Sequence, residues 1–206
     1  MRVLALLPLL VFSFSCSKPT ESNSSTPSSV TITNTTPIKG EEEEKIIPLK
    51  NHYSLTYFTD EEYKHLRLKG PSLDTVIWSI SAGLPDRNMG HLEADFDKYF
   101  VLYAHFGNGY NEMLVIEKKS GTDIAYGSGI KIDTIQNIIY FEDKENLEKL
   151  SLLNLNTLKK EAYPIPKGIK CENWYNCIEN IKLTDKELSF EYITTENQKK
   201  VQVYKR

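Results

Sequence analysis

Residues 98–118 have the sequence KYFVLYAHFGNGYNEMLVIEK. Two apolar runs, 98–106 and 112–118, are rich in the aromatic and β-branched residues that favour strands. Between them lies Asn108-Gly109, a dipeptide that favours the tight turn of a β-hairpin because both residues tolerate positive φ angles. The stretch therefore predicts two antiparallel strands joined by a short turn.

The chain beyond residue 50 repeats this pattern of short apolar runs separated by turn residues. The runs recur roughly every 8–12 residues, a spacing typical of sandwiches, barrels and propellers. The sequence therefore predicts a mainly β fold, a single antiparallel all-β domain built as a sandwich or an open barrel. Besides the hairpin, the predicted strands are 52–58, 76–80, 123–126, 137–141, 149–155, 160–163, 178–183, 188–193 and 201–204.

One short helix is expected near the start of this domain. Thr59 and Glu62 have the spacing of a capping box, in which the first side chain caps backbone amides and the second reaches back to the cap residue. Gly70 and Pro71 would then stop the helix.

A weak internal repeat relates two of the predicted hairpins. A shift of 37 residues places Val101-Leu102-Tyr103 on Ile138-Ile139-Tyr140, and Val115-Ile116 on Leu152-Leu153. This rhythm resembles the blades of β-propellers, although hairpins of alternating apolar residues also look alike by chance. A closed propeller needs about four or more blades of roughly 40 residues, and the predicted domain is too short for that.

The first residues predict an export signal. Arg2 precedes an apolar stretch, 3–12, that is too short to span a bilayer but fits a signal peptide. Ser13-Phe14-Ser15-Cys16 follows. This segment resembles the lipobox of bacterial lipoproteins. The resemblance implies that residues 1–15 are removed and that Cys16 carries the lipid, whereas ordinary secretory cleavage would leave Cys16 unmodified.

The same resemblance gives an expected location. In enterobacterial lipoproteins, an Asp after the modified Cys retains the protein in the inner membrane, and here that position is Ser17. The implied location is the bacterial cell envelope, with the lipid held in the outer membrane. A membrane, contacted through the lipid, is therefore one expected partner.

A polar segment separates this anchor from the predicted domain. Twelve of the twenty residues 17–36 are Ser or Thr, and a run of four Glu covers 41–44. A segment of this composition cannot bury enough apolar surface to fold. We therefore expect a disordered tether over residues 16–50 and a β-rich globular domain over residues 51–206.

The chain has three cysteines. If Cys16 carries lipid, Cys171 and Cys177 remain as a pair, and the envelope outside the inner membrane is oxidising. The sequence therefore predicts a Cys171–Cys177 disulfide that closes a small loop. Two Cys without a nearby His are too few ligands for a metal.

Two aromatic residues, Trp174 and Tyr175, lie inside this small loop. Aromatic side chains offer a large and rigid contact area. They predict a contact patch for a glycan, peptide or protein partner. The alternative is that Trp174 folds onto the end of the barrel as a plug.

The remaining composition argues against several function classes. The net charge is −3, so the chain has no basic surface for nucleic acid. The sequence contains no nucleophile elbow, no phosphate-binding loop and no His-based metal motif. We therefore expect no enzyme activity, no cofactor and no metal.

One acidic run remains to be considered. His91, Glu93, Asp95 and Asp97 alternate and would share one face of a regular strand, which could bind a cation. Because no Gly-centred calcium loop accompanies them, a solvated face is the simpler interpretation.

These features together predict a tethered binding or interaction module of the envelope. Two alternatives stay open. One is an inhibitor of a lytic enzyme such as lysozyme, by analogy of fold alone. The other is a hydrolase acting on envelope glycans, which needs two carboxyl groups about 5–10 Å apart in a cleft.

Overall fold

The strands form three antiparallel meanders, in which each strand pairs with its neighbours in sequence. The computed structural model describes residues 44–107, 111–145 and 147–206. Sheet A contains β1 (Lys45–Leu49), β2 (Tyr53–Thr59), β3 (Tyr63–Gly70) and β4 (Leu73–Ser81). Sheet B contains β5 (His91–Asp95), β6 (Tyr99–His105), β7 (Asn111–Glu117), β8 (Asp123–Asp133), β9 (Ile138–Asp143), β10 (Lys149–Asn154) and β11 (Lys159–Pro164). Sheet C contains β12 (Ile178–Leu183), β13 (Glu187–Ile193) and β14 (Lys199–Lys205).

The predicted mainly β, antiparallel fold is confirmed. Within the described ranges, helical residues occur only in three 3-10 turns, Lys50–His52, Asp86–Met89 and Trp174–Cys177. The hairpin predicted from residues 98–118 is formed by β6 and β7, although its Asn108-Gly109 turn lies outside the described residues. The two hairpins of the weak repeat, β6–β7 and β9–β10, belong to one continuous sheet and are not separate propeller blades.

One face of sheet B packs on itself because the sheet is curled. Cross-strand partners share a face, so Val101, Val115 and Ala125 on three successive strands point to the same side. They belong to a buried cluster with Phe96 and Leu155, which follow β5 and β10 near opposite ends of the sheet. In the described part of the chain the edge strands β5 and β11 do not pair, so the curl does not close into a barrel.

The opposite face of sheet B is covered by the other two sheets. Phe100 on β6 shares a buried cluster with Leu66 of sheet A. Tyr140 on β9 shares another with Phe190 of sheet C. Sheet B therefore has apolar cores on both faces, which explains why β6 is a nearly continuous apolar run rather than an alternating one.

Polar contacts also hold sheet C against the edge strand β11. The Arg206 guanidinium donates two hydrogen bonds to the Glu161 carboxylate, at 2.9 and 2.6 Å. The Tyr204 hydroxyl donates to the carbonyl of Pro164. The hydrogen bonds from Arg206 lower the pKa of Glu161 from 4.5 to about 2, so this carboxylate stays ionised at neutral pH. Arg206 thereby fixes sheet C to sheet B.

The globular domain begins before residue 51. Residues 45–49, which the sequence predicts as tether, form β1 and pair with β2. Pro48 is tolerated because β1 is an edge strand and need not donate a hydrogen bond on its outer side. Leu49 is buried in the core under sheet A. The predicted tether is therefore wrong for these five residues.

The predicted helix after Thr59 is also wrong, because residues 63–70 form β3. Asp60, not Thr59, organises the turn, since its Oδ1 accepts the backbone N–H groups of Glu62 and Tyr63 at 2.9 and 2.7 Å. The result is a tight β2–β3 hairpin. Along β3, every second side chain faces the core, which is the period of a strand with one buried face.

Candidate functional site

A cleft of about 410 Å³ opens beside the β2–β3 hairpin, where the hairpin faces the 3-10 turn Asp86–Met89. Ile47, Tyr57 and Met89 supply its apolar wall. The Tyr57 hydroxyl donates a hydrogen bond to the carbonyl of Gly90 at 3.0 Å, which fixes the hairpin against the segment after the turn. Burial raises the pKa of Tyr57 to about 12, so this phenol remains a neutral donor.

The rim of the cleft is rich in cationic side chains. Lys45, Lys64 and Arg87 all line it. The Lys64 Nζ is neutralised by Asp86, 2.5 Å away, and also donates to the carbonyl of Leu84. Lys45 and Arg87 make no ion pair with any residue in the described ranges, and Lys45 only approaches the Tyr57 ring, at 5.8 Å from its centroid. Two positive charges without an ion-pair partner among the described residues therefore line a cleft with an apolar wall.

A second cleft, of about 350 Å³, lies at one end of the curled sheet B. Its Asp95 carboxylate is already engaged, because the Lys118 Nζ lies 2.6 Å from Oδ1. The backbone N–H of Lys50 donates to Oδ2 at 2.7 Å. Asp95 therefore links sheets A and B, and its negative charge is neutralised by Lys118. The first cleft is the better candidate for a ligand site.

The structure corrects the predicted contact patch. Trp174 and Tyr175 are only 9% and 7% exposed. They pack in the cluster between sheets B and C, and the indole N–H of Trp174 donates to Glu142 at 2.5 Å. Both aromatic rings are therefore part of the core and offer no accessible patch. For Trp174, this agrees with the alternative that its ring folds back onto the domain.

The predicted disulfide is present between Cys171 and Cys177, whose Cα atoms are 5.7 Å apart. It encloses the 3-10 turn Trp174–Cys177. Because the closed loop is short, the chain-entropy estimate of its contribution to stability is only about 2–3 kcal/mol. Its local effect is to hold the turn that carries the two buried aromatic rings. Cys16, the expected lipid site, lies outside the described residues.

The four residues of the acidic run do not share a face. A bulge between Leu92 and Ala94 interrupts the alternation of β5. His91 lies opposite Tyr103, whereas Asp95 lies opposite Phe100, and successive residues of β6 point to opposite faces. The described residues contain no group of three or more His, Cys, Asp or Glu side chains that could hold a metal ion.

Comparisons with known proteins do not assign this chain to a family. No protein-family model matches the chain, and no curated protein matches it significantly. Among the residues that the structure describes, no helix is long and apolar enough to cross a membrane.

Proposed function

We propose that this chain is a lipid-anchored binding module of the bacterial envelope, and that it holds an amphipathic anion in the cleft beside the β2–β3 hairpin. One observation carries the binding part of the proposal. Lys45 and Arg87, which pair with no acidic residue in the described ranges, lie at the rim of a cleft whose wall is apolar. A ligand with a negative head and a hydrocarbon tail would neutralise the cations and cover the wall together.

The size and chemistry of the cleft fit a small ligand. Ligand pockets usually measure about 300–1,000 Å³ and combine an apolar lining with a few placed polar groups. Apolar surface removed from water contributes about 25 cal/mol per Å². A charge-assisted hydrogen bond to an anionic head adds about 1.5–3 kcal/mol. The hydrocarbon tail would thus supply much of the affinity, and the two cations would orient the ligand.

Binding can be tested with dodecanoate, used below its micelle concentration, as the probe. We expect saturable binding by calorimetry, and we expect Arg87→Gln to weaken it about tenfold, which equals about 1.4 kcal/mol. Arg67→Gln is the matched control, because Arg67 lies on the outer face of sheet A and pairs with Asp74. Dodecyltrimethylammonium, with the same tail and the opposite charge, should bind at least tenfold more weakly. Equal binding of both surfactants would contradict the proposal.

The anchor has a separate test. The short apolar run, the lipobox-like Ser13-Phe14-Ser15-Cys16 and the Ser- and Thr-rich segment after it all support a lipid on Cys16. Stable anchoring takes two lipid signals. Mass spectrometry of the mature chain from its native host should therefore show Cys16 at the N-terminus with more than one acyl chain. An unmodified Cys16 would refute the anchor and leave the binding result untouched.

A further inference from the structure

Three polar side chains on the outer face of sheet A form a continuous hydrogen-bonded array. His65 on β3 lies directly opposite Ser79 on β4. Its Nδ1 is 2.7 Å from the Ser79 Oγ, and its Nε2 is 2.8 Å from the Asp60 Oδ2. We define Asp60, His65 and Ser79 as the Asp–His–Ser array. None of the three belongs to a catalytic sequence motif, and the array exists only because β3 and β4 pair in this register.

Asp60 and His65 are each held in place by a second contact. Asp60 uses its other oxygen to accept the backbone N–H groups of the β2–β3 turn. The His65 ring stacks on Phe58 at 4.8 Å between centroids, and its side chain is only 16% exposed. The hydrogen bond from His65 is the first of the causes that lower the pKa of Asp60 to about 2, so this group is a carboxylate at neutral pH.

The carboxylate sets the tautomer of the neutral imidazole. Asp60 can only accept, so Nε2 carries the proton and donates to it. The Nδ1 lone pair is then left to accept the hydroxyl proton of Ser79. A nucleophile bonded to a base, with that base oriented by a third group, is the geometry that activates a hydroxyl for attack.

We propose that Ser79 is an activated nucleophile, with His65 as its general base and Asp60 as the group that orients His65. The substrate class is a small carboxylic ester. Nδ1 rather than Nε2 faces the serine, which changes the ring orientation, and Nδ1 supplies the lone pair that accepts the hydroxyl proton. The proposal rests on the array itself and not on ligand binding in the cleft, which His65 also borders.

The reaction balances without any further reactant except water. The Ser79 Oγ attacks the ester carbonyl carbon while His65 Nδ1 takes the hydroxyl proton. The C–O bond to the alcohol then breaks, and the leaving alkoxide receives that proton. Water next attacks the acyl-serine and gives a proton to Nδ1. Release of the carboxylic acid returns the proton to Ser79, so one ester and one water give one acid and one alcohol.

The surroundings of the array favour an ester that carries an apolar group. Tyr63 lies beside His65, with ring centroids 6.1 Å apart, and is 45% exposed. Together with Phe58 it gives an aromatic surface on which an acyl or aryl group can rest. Strand β4 pairs only with β3 among the described strands. An edge strand presents unpaired backbone N–H groups, which can donate to an ester oxygen laid along it.

A fluorophosphonate probe tests the proposal directly, because an activated serine displaces fluoride from its phosphorus. The full chain is incubated with the probe at pH 8, and intact mass and peptide mapping are recorded. We expect one adduct, on Ser79. Ser79→Ala should abolish it, while Ser81→Ala, two residues along the same exposed face, should not.

The role of the base is tested by the same labelling rate. We expect His65→Gln to slow labelling of Ser79 about 10²-fold, the scale of general base catalysis, with p-nitrophenyl butyrate hydrolysis falling in parallel. Circular dichroism of each variant confirms that it is folded. Absence of an adduct on the folded parent chain would overturn the proposal. So would a folded His65→Gln variant that labels at the parent rate.

Discussion

Replacing Lys118 with Ala is expected to lower the free energy of unfolding by about 3–5 kcal/mol, because it breaks a buried ion pair. Lys118 is 1% exposed. Its Nζ lies 2.6 Å from Asp95 and donates to the carbonyl of Phe96 at 2.6 Å. It also donates to the carbonyl of Lys50 at 3.2 Å, so one ammonium group holds sheet A to sheet B.

The loss comes mainly from what the substitution leaves behind. Without Lys118, the half-buried Asp95 carboxylate has no cation, and a buried carbonyl has no donor. Small domains have a free energy of unfolding of only about 5–15 kcal/mol. The variant therefore loses a large part of its stability. Urea denaturation at neutral pH measures the change. Lys119→Ala, at the exposed neighbouring position, should stay within about 0.5 kcal/mol of the parent. A loss below about 1 kcal/mol for Lys118→Ala would contradict the assignment.

Gly127→Ala is expected to lower the free energy of unfolding by about 3 kcal/mol, the upper end of the usual cost of overpacking. Gly127 lies inside β8, in the middle of sheet B. A Cβ at this position would overlap the backbone carbonyl oxygen of Glu142 on β9. Backbone atoms cannot rotate away as a side chain can, and β8 is paired on both sides. The strand must therefore shift or lose part of its pairing.

The control for this variant is Gly83→Ala, because a Cβ on Gly83 meets no atom within 4 Å. That change should leave the free energy of unfolding unchanged or raise it by up to about 1 kcal/mol, because alanine reduces the conformational entropy of the unfolded chain. Thermal and urea unfolding of the two variants give the comparison. Equal stability of Gly127→Ala and Gly83→Ala would mean that β8 and β9 do not approach as closely as described.

The mainly β fold could be predicted because the signals for it are local. Apolar runs such as 98–106 and turn residues at short spacing indicate strands wherever they occur. The wrong helix near the start of the domain also came from a local signal. Thr59 to Glu62 fits a capping box by spacing, but the side chain of Asp60 satisfies the same amides in a hairpin turn. Leu66 and Leu68 are apolar residues two positions apart with polar neighbours, and this alternation is the sequence signal that indicates a strand here.

The candidate sites could not be predicted because they depend on pairing between distant segments. Lys45 lies in the segment predicted as tether and Arg87 lies outside every predicted strand, so nothing local placed them at one cleft. Ser79 and His65 meet only through the β3–β4 register, which a helix at residues 59–70 would have excluded. The exposure of Trp174 also could not be predicted, because it depends on whether the loop folds back onto sheet C.

The meander topology has a consequence for how quickly the chain can find its structure. In the described part, each strand pairs only with the strand before or after it, so the segments to be closed before pairing are short. The entropy of closing a loop rises with its length, and chains rich in near-neighbour contacts fold faster than those with distant pairings. The disulfide also joins residues only six positions apart. Each sheet can therefore form from its own contiguous segment of chain, and sheets A and B need no strand from the C-terminal sheet C.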